Sequence, residues 1–258
     1  MVVVSKIVPP IKELYSRLLN GDRWEAPDRE FPGHRDILVQ SRARYEFVAP
    51  YVHGRLLDLG CGRGYGFEVL LPNSDGQVGI DISSSFLREA RNLFPPVLFA
   101  CAKGDALPLA NCSFDSVVAF EVIEHAQNDQ VFLDEIRRVT RQDALIAIST
   151  PNRLISSGSS LKPLNRFHNR EYTADEFYML LKDKFSSVEI FGQHERVNAE
   201  ITRNKFIDRI PVRWKYLLPH LLITLVSVTL RPPLRLDECQ FQIDSLEKAP
   251  TFLAMCRR

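Results

Sequence analysis

The sequence predicts an α/β fold with a doubly wound, mostly parallel sheet, and three observations carry that prediction. Short apolar runs alternate with helical stretches from Arg55 onward. Each run is bounded by Gly, Asp, Pro or Ser, as buried strands usually are. A glycine-rich turn follows the first run directly. Strand–helix–strand alternation of this kind implies right-handed crossovers between neighbouring parallel strands.

Residues 1–50 read as a polar, mostly helical N-terminal extension interrupted by Pro9, Pro10, Pro27 and Pro32. Strands are then expected at LLDLG (56–60), QVGID (77–81), VLFAC (97–101), FDSVVAF (114–120) and ALIAIST (144–150). Helices are expected near 66–71, 84–93 and 129–141, the last mixing an apolar stripe (Val131, Phe132, Val139) with a charged face (Asp134, Glu135, Arg138). A Ser/Gly/Asn-rich loop, PNRLISSGSSLKPLNRFHNR (151–170), precedes a helix from Thr173 to about Lys182. Thr173 and Glu176 stand three residues apart, the spacing of a capping box. SSVEIFG follows as a strand, residues 195–240 break the alternation as a helical insertion, and 241–258 close the sheet with TFLAMC (251–256) as an edge or near-edge strand.

With 258 residues the chain can bury a full α/β domain plus appended helices. Its net charge of +1 gives no global attraction to nucleic acid or anionic lipid. The start, MVVVSKIVPP, lacks a basic segment followed by a long apolar one, so no signal peptide is expected. Cys61, Cys101, Cys112, Cys239 and Cys256 show no metal-ligand spacing, which suits free thiols in a reducing cytoplasm.

The sharpest local signal is DLGCGRGYG, residues 58–66. A glycine-rich turn that opens a helix lets backbone N–H groups approach a ligand closely. Dinucleotide spacing (GxGxxG) fails, because the last position is Tyr65 counted from Gly60 and Phe67 counted from Gly62. Asp58 would repel a pyrophosphate but suits a ligand's cationic end. Asp81, ending the second strand, is placed to accept hydrogen bonds from ribose hydroxyls.

DLGCGRGYG, then GIDIS, then GDALPLANCSFDSVVAFEVIEH resembles the class I methyltransferase family in order and spacing, over roughly residues 55–192. The resemblance implies a Rossmann-like sheet of seven strands with an antiparallel last strand, and S-adenosylmethionine as cofactor, bound by a domain spanning 51–194. It implies that Asp58, Gly60, Cys61, Gly62 and Gly64 surround the methionine half. Asp81 with Ile82 would hold the ribose, Asp105 with Ala106 would face adenine, and Phe120 with Glu121 would border the amino-acid end.

Methyl transfer from a sulfonium needs alignment and a competent nucleophile. An aliphatic hydroxyl requires a base or a metal to take its proton. His125, in EVIEH, and His168, in NRFHNREYT, are the candidate bases, both expected at the carboxyl edge of the sheet. His125 alternatively anchors its loop, and His168 alternatively binds a polar substrate. Glu124, His125 and His168 offer too few carboxylates for Mg²⁺, so no metal is expected. STPN…NRFHNREYTADEF resembles a branch whose members often methylate sugars, glycosides or polyketide and isoprenoid acceptors, although Arg166 stands where that branch commonly has proline.

These observations lead to an expected O-methyltransferase of a small-molecule hydroxyl, such as a sugar or glycoside. The alternatives are an isoprenoid, quinone-like or polyketide ring acceptor, and a non-catalytic cofactor-binding scaffold. No Asn/Asp-Pro-Pro-Tyr/Phe signature follows the fourth strand, so nucleic acid is not an expected partner. LLPHLLITLVSVTL (217–230), flanked by basic residues, is too short to span a bilayer of ~30 Å as a helix. It suits a lid, a subunit contact in a homo-oligomer, or peripheral membrane contact through 211–235.

Overall fold

The computed structural model describes residues 34–158, 160–195 and 235–258. The apolar stretch 217–230, nearly all of the segment 211–235 and the first part of the N-terminal extension lie outside the described residues. The chain divides into two compact units, one of residues 42–194 with 240–258 and the other of 1–41 with 195–239. The first unit carries the cavity and the site residues described below.

A helix α1 (His34–Val48) leads to β1 (Arg55–Leu59), a short α2 (Phe67–Leu70), β2 (Gly76–Asp81), α3 (Ser84–Leu93) and β3 (Leu98–Cys101). Then come β4 (Phe114–Phe120), α4 (Asp129–Val139), β5 (Thr140–Pro151), α5 (Arg153–Ser156), α6 (Ala174–Lys182) and β6 (Ser187–Glu195). The short β7 (Cys239–Gln242) and β8 (Thr251–Arg257) finish the sheet. Its order is β3-β2-β1-β4-β5-β8-β6-β7. β1 pairs in parallel with β2 and β4, β2 with β3, and β4 with β5, whereas β8 runs antiparallel to β5 and β6.

The expected doubly wound sheet with an antiparallel last strand is therefore present, with two corrections. Among the described residues the sheet has eight strands and not seven, because β7 adds an outer strand that CQFQ does not advertise as an apolar run. Of the edge and near-edge positions expected for TFLAMC the edge is excluded: β8 is inserted between β5 and β6, with β7 outermost, which explains why Phe252, Leu253 and Ala254 are fully buried. The helix expected over 129–141 ends at Val139, and β5 starts at Thr140. The Thr140 hydroxyl donates to the Ile136 and Arg137 carbonyls, a local bond that suits a helix end.

Local chemistry fixes the helix starts. Ser83 accepts from the Phe86 N–H, Asn128 from Gln130 and Val131, and Thr173 with Glu176 forms the expected capping box. The core is continuous across the sheet and includes Leu57, Ile80, Val117, Ile146, Phe132, Phe177 and Phe252. Burying a side chain of that size contributes ~1.5–3 kcal/mol. Asn152, itself buried, ties the end of β5 to the segment before β8 by donating to the Leu246, Glu247 and Ala249 carbonyls. That tether sets where the long loop after β5 leaves the sheet.

Candidate active site

The parallel strands end their carboxyl edges on one side, where open α/β sheets bind ligands. A cavity of ≈ 550 Å³ lies there, and its wall includes Gly60, Asp81, Ile82, Asp105, Glu121 and His125. Leu59, Ala102, Lys103, Val122, Phe132 and Phe167 also contribute to it. Asp58, Cys61, Gly62, Gly64, Ala106, Phe120 and His168, all expected at the site, do not form part of that wall.

The glycine-rich turn is shaped by β2. The N–H groups of Gly60 and Cys61 both donate to the Ile80 carbonyl, at 2.7 and 3.0 Å. Gly60 has φ +78°, and a Cβ there would strike Val122. Asp81 accepts from the Gly62 N–H at 2.9 Å through Oδ2 and from the Ser83 N–H at 2.8 Å through Oδ1. Its carboxylate is thus oriented before any ligand arrives. Beside it Ile82 is 73% exposed, an apolar side chain held on the cavity wall where a flat ring could cover it.

Beneath the turn, Asp58 is completely buried and its carboxylate accepts from the Tyr45 hydroxyl of α1. Among the described residues it has no cationic partner. Burial pushes its pKa up to about 7, with the Tyr45 hydrogen bond pulling down and Asp81 adding a smaller push upward. Phe120 packs edge-on against the same Tyr45, ring centroids 4.8 Å apart. Burial likewise pushes up the Cys61 thiol. These residues support the loop from below and do not face the cavity.

Glu121, Glu124 and His125 follow the end of β4. Glu121 has φ +56°, a left-handed conformation costly for a residue with a side chain. Its N–H donates to the Ser149 carbonyl and its carboxylate accepts from the Ser149 hydroxyl at 2.7 Å. Strain that is held in place by β5 in this way is common at functional positions. Glu124 is buried, and burial, with Glu121 nearby, raises its pKa well above the carboxylate range. Its carbonyl accepts from the Asn169 and Arg170 N–H groups, so its backbone joins the loop after β5.

His125 lies 2.9 Å from the Phe167 carbonyl through Nδ1, which must therefore carry the proton. Nε2 has no hydrogen-bond partner among the described residues. Burial lowers the His125 pKa below the usual histidine value. His168 packs edge-on against it, with ring centroids 4.9 Å apart. Both ring nitrogens of His168 are engaged, Nδ1 with Glu171 at 2.6 Å and Nε2 with the Asn165 amide at 2.9 Å. Ligand atoms of Glu124, His125 and His168 come within 4.8 Å of one another, yet three of the four ring nitrogens are already bonded and only one carboxylate is offered.

Sequence reasoning did not single out Tyr45, Lys103, Phe167 or Glu171. Tyr45 and Glu171 are joined to the site by long-range or loop packing, which no spacing reveals. Lys103 could have been found, because it precedes the GDALP segment that was read as facing adenine.

Residues 57–148 match the family model described as "Methyltransferase domain". A Mycobacterium tuberculosis protein named "Probable S-adenosylmethionine-dependent methyltransferase" is 37% identical over 140 residues, 54% of this chain and 51% of its own length. The ubiquinone biosynthesis O-methyltransferase of Parvibaculum lavamentivorans is 29% identical over 114 residues, 43% of this chain and 45% of its own. The chain spans about half the length of the curated relatives it matches. A solved SAM dependent methyltransferase from Archaeoglobus fulgidus superposes with a TM-score of 0.59 at 18% identity, covering 92% of this chain and 100% of that one. The matched segment runs from within β1 into β5 and contains the glycine-rich turn and most of the cavity wall, so it is this segment that is similar to a methyltransferase domain.

Proposed function

We propose that the chain transfers a methyl group from S-adenosylmethionine to a hydroxyl oxygen of a small molecule, such as a sugar or glycoside, with His125 as general base. The observation that carries this reading is the His125–Phe167 bond, which leaves Nε2 unprotonated on a residue that shares one cavity with Asp81.

The cavity suits the cofactor in its donor set. The oriented Asp81 carboxylate would accept from ribose hydroxyls, and Ile82 would lie against the adenine with Asp105 at its polar edge. Glu121 offers negative charge at the amino-acid end. When bound, S-adenosylmethionine supplies a methyl group on a cationic sulfur that an oxygen nucleophile displaces in line.

His125 Nε2 takes the proton that the acceptor hydroxyl loses as its oxygen forms the new bond. Burial keeps the imidazole neutral and so competent at neutral pH. Phe167, on the cavity wall, would offer the acceptor an apolar face. His168 is not placed to take that proton, because its Nε2 lone pair is already occupied by the Asn165 amide.

A ring hydroxyl of an isoprenoid or quinone-like acceptor is the second reading, favoured by the resemblance to the ubiquinone biosynthesis O-methyltransferase. An acceptor screen with labelled S-adenosylmethionine, run with glycosides beside catechols, separates the two. Turnover with His125→Ala equal to the parent on every acceptor would remove the base from the proposal.

A further inference from the structure

The loop after β5 is held by a carboxylate that takes no part in the reading above. Glu171 has a side chain only 1% exposed. Its Oε2 accepts from the Ser156 and Ser157 hydroxyls at 2.5 and 2.7 Å, and its Oε1 faces His168 Nδ1 at 2.6 Å. Burial alone would raise its pKa, but the two serines and His168 together bring it below the usual glutamate value. A buried charge satisfied by three donors is costly to disturb, and all three donors lie in this one loop.

The bonds continue from there toward the cavity. The Asn165 Oδ1 accepts from the Phe167 N–H at 3.0 Å, so its amide nitrogen is the atom facing His168 Nε2. The His168 N–H donates to the Asn165 carbonyl at 3.1 Å. Phe167 is thereby fixed between two anchored residues, with its carbonyl 2.9 Å from His125 Nδ1. Asn169 completes the hold, donating from its side chain to the His125 carbonyl at 2.8 Å and from its N–H to the Glu124 carbonyl at 2.7 Å. Ring and backbone of His125 are thus both clamped by the loop that Glu171 anchors from within.

We propose that Glu171 is a positioning residue for the methyl-transfer base: by clamping Ser156, Ser157 and His168 it holds the Phe167 carbonyl against His125 Nδ1 and so selects the tautomer with Nε2 free. The inference rests on the reading of His125 as the base, but its structural half stands apart from turnover. A neutral His125 has two tautomers, and only the one bearing its proton on Nδ1 can take a proton at Nε2. Glu171 therefore acts through His168, Phe167 and His125 and not on the acceptor itself.

The test is nitrogen-15 imidazole spectroscopy of the full chain saturated with S-adenosylhomocysteine, comparing the parent with Glu171→Gln, Glu171→Asp and Ser157→Ala. The parent should show His125 in one tautomer, protonated at Nδ1. Glu171→Gln should give a mixture at His125 and a fall in kcat of at least about tenfold, with KM for S-adenosylmethionine held within about twofold, since Asp81 and the glycine turn are untouched. Glu171→Asp, which keeps the charge, should restore much of the single tautomer. Should Glu171→Gln fail to fold, Ser157→Ala removes one donor without stranding a charge and should give partial mixing. A single Nδ1-protonated His125 retained in Glu171→Gln, or in Ser157→Ala where that variant decides, overturns the proposal. Full turnover by His125→Ala would overturn the base reading instead, leaving the tautomer result intact.

Discussion

The Tyr45 hydroxyl lies 3.1 and 3.3 Å from the two carboxylate oxygens of Asp58, joining α1 to the end of β1 in a fully buried contact. Tyr45 also meets Tyr65 and Phe120 edge-on, so one side chain braces the glycine turn and the end of β4 together. A Cβ on Gly66 would overlap its ring, which fixes how closely α1 approaches the turn.

Asp58 gives the fold a signature in pH. In the unfolded chain it ionises near the ordinary value of 3.8, and in the fold near about 7. Between those values the folded state retains a proton that the unfolded chain has released. Its contribution to stability is full below the lower value and is lost as pH rises through the upper one. Thermal melts from pH 5 to 8 should therefore show Tm of the parent falling relative to Asp58→Asn; parallel curves would contradict this assignment.

Tyr45→Phe removes the hydroxyl donor from that carboxylate. At pH 8, where the charged form dominates, the loss should be about 1.5–3 kcal/mol, and at pH 5 clearly less. Urea unfolding at the two pH values measures the difference, and an equal loss at both would mean the hydroxyl matters only for packing.

Asp81→Ala should weaken S-adenosylhomocysteine binding by about 1–3 kcal/mol, through lost charge-assisted hydrogen bonds. Asp81→Asn keeps one acceptor for the Gly62 or Ser83 N–H and should fall between parent and alanine. Affinity unchanged in both variants would take Asp81 out of the cofactor site.

The pH dependence of turnover follows from His125. Its pKa is lowered from the usual histidine value by burial, so kcat/KM should fall on acidification through a pKa below 6.5 and stay level from pH 7 to 8. His125→Ala should lose about 10²–10⁴-fold in kcat with cofactor affinity unchanged. A profile whose limb lies above pH 7 would assign the proton to another group.

Because three of the four ring nitrogens of His125 and His168 are already bonded, dialysis against EDTA should leave turnover unchanged. Loss of activity that Mg²⁺ restores would instead make Glu124, His125 and His168 a cation site.

Most of this architecture was legible in the residues. LLDLG, QVGID and FDSVVAF are buried parallel strands whose apolar runs and glycine boundaries are local signals, and Thr173 with Glu176 is a spacing that determines its own structure. The position of β8 was not legible, because nothing in TFLAMC says whether one neighbour or two will flank it. Asp81 and Glu121 could be expected on the cavity wall because one ends a strand and the other directly follows one. Asp58 could not be assigned a facing direction: alternation along a strand buried on both faces is silent about which side meets a ligand. The roles of Phe167 and Glu171 depend on how a loop of polar residues closes its hydrogen bonds, which only coordinates display.

Calorimetric titration of the protein with S-adenosylhomocysteine, with NADH as control, tests the central claim most directly. The account predicts saturable one-to-one binding of the first and none of the second, with the affinity reduced in Asp81→Ala. Absence of S-adenosylhomocysteine binding to the folded parent, or NADH binding in its place, would contradict it.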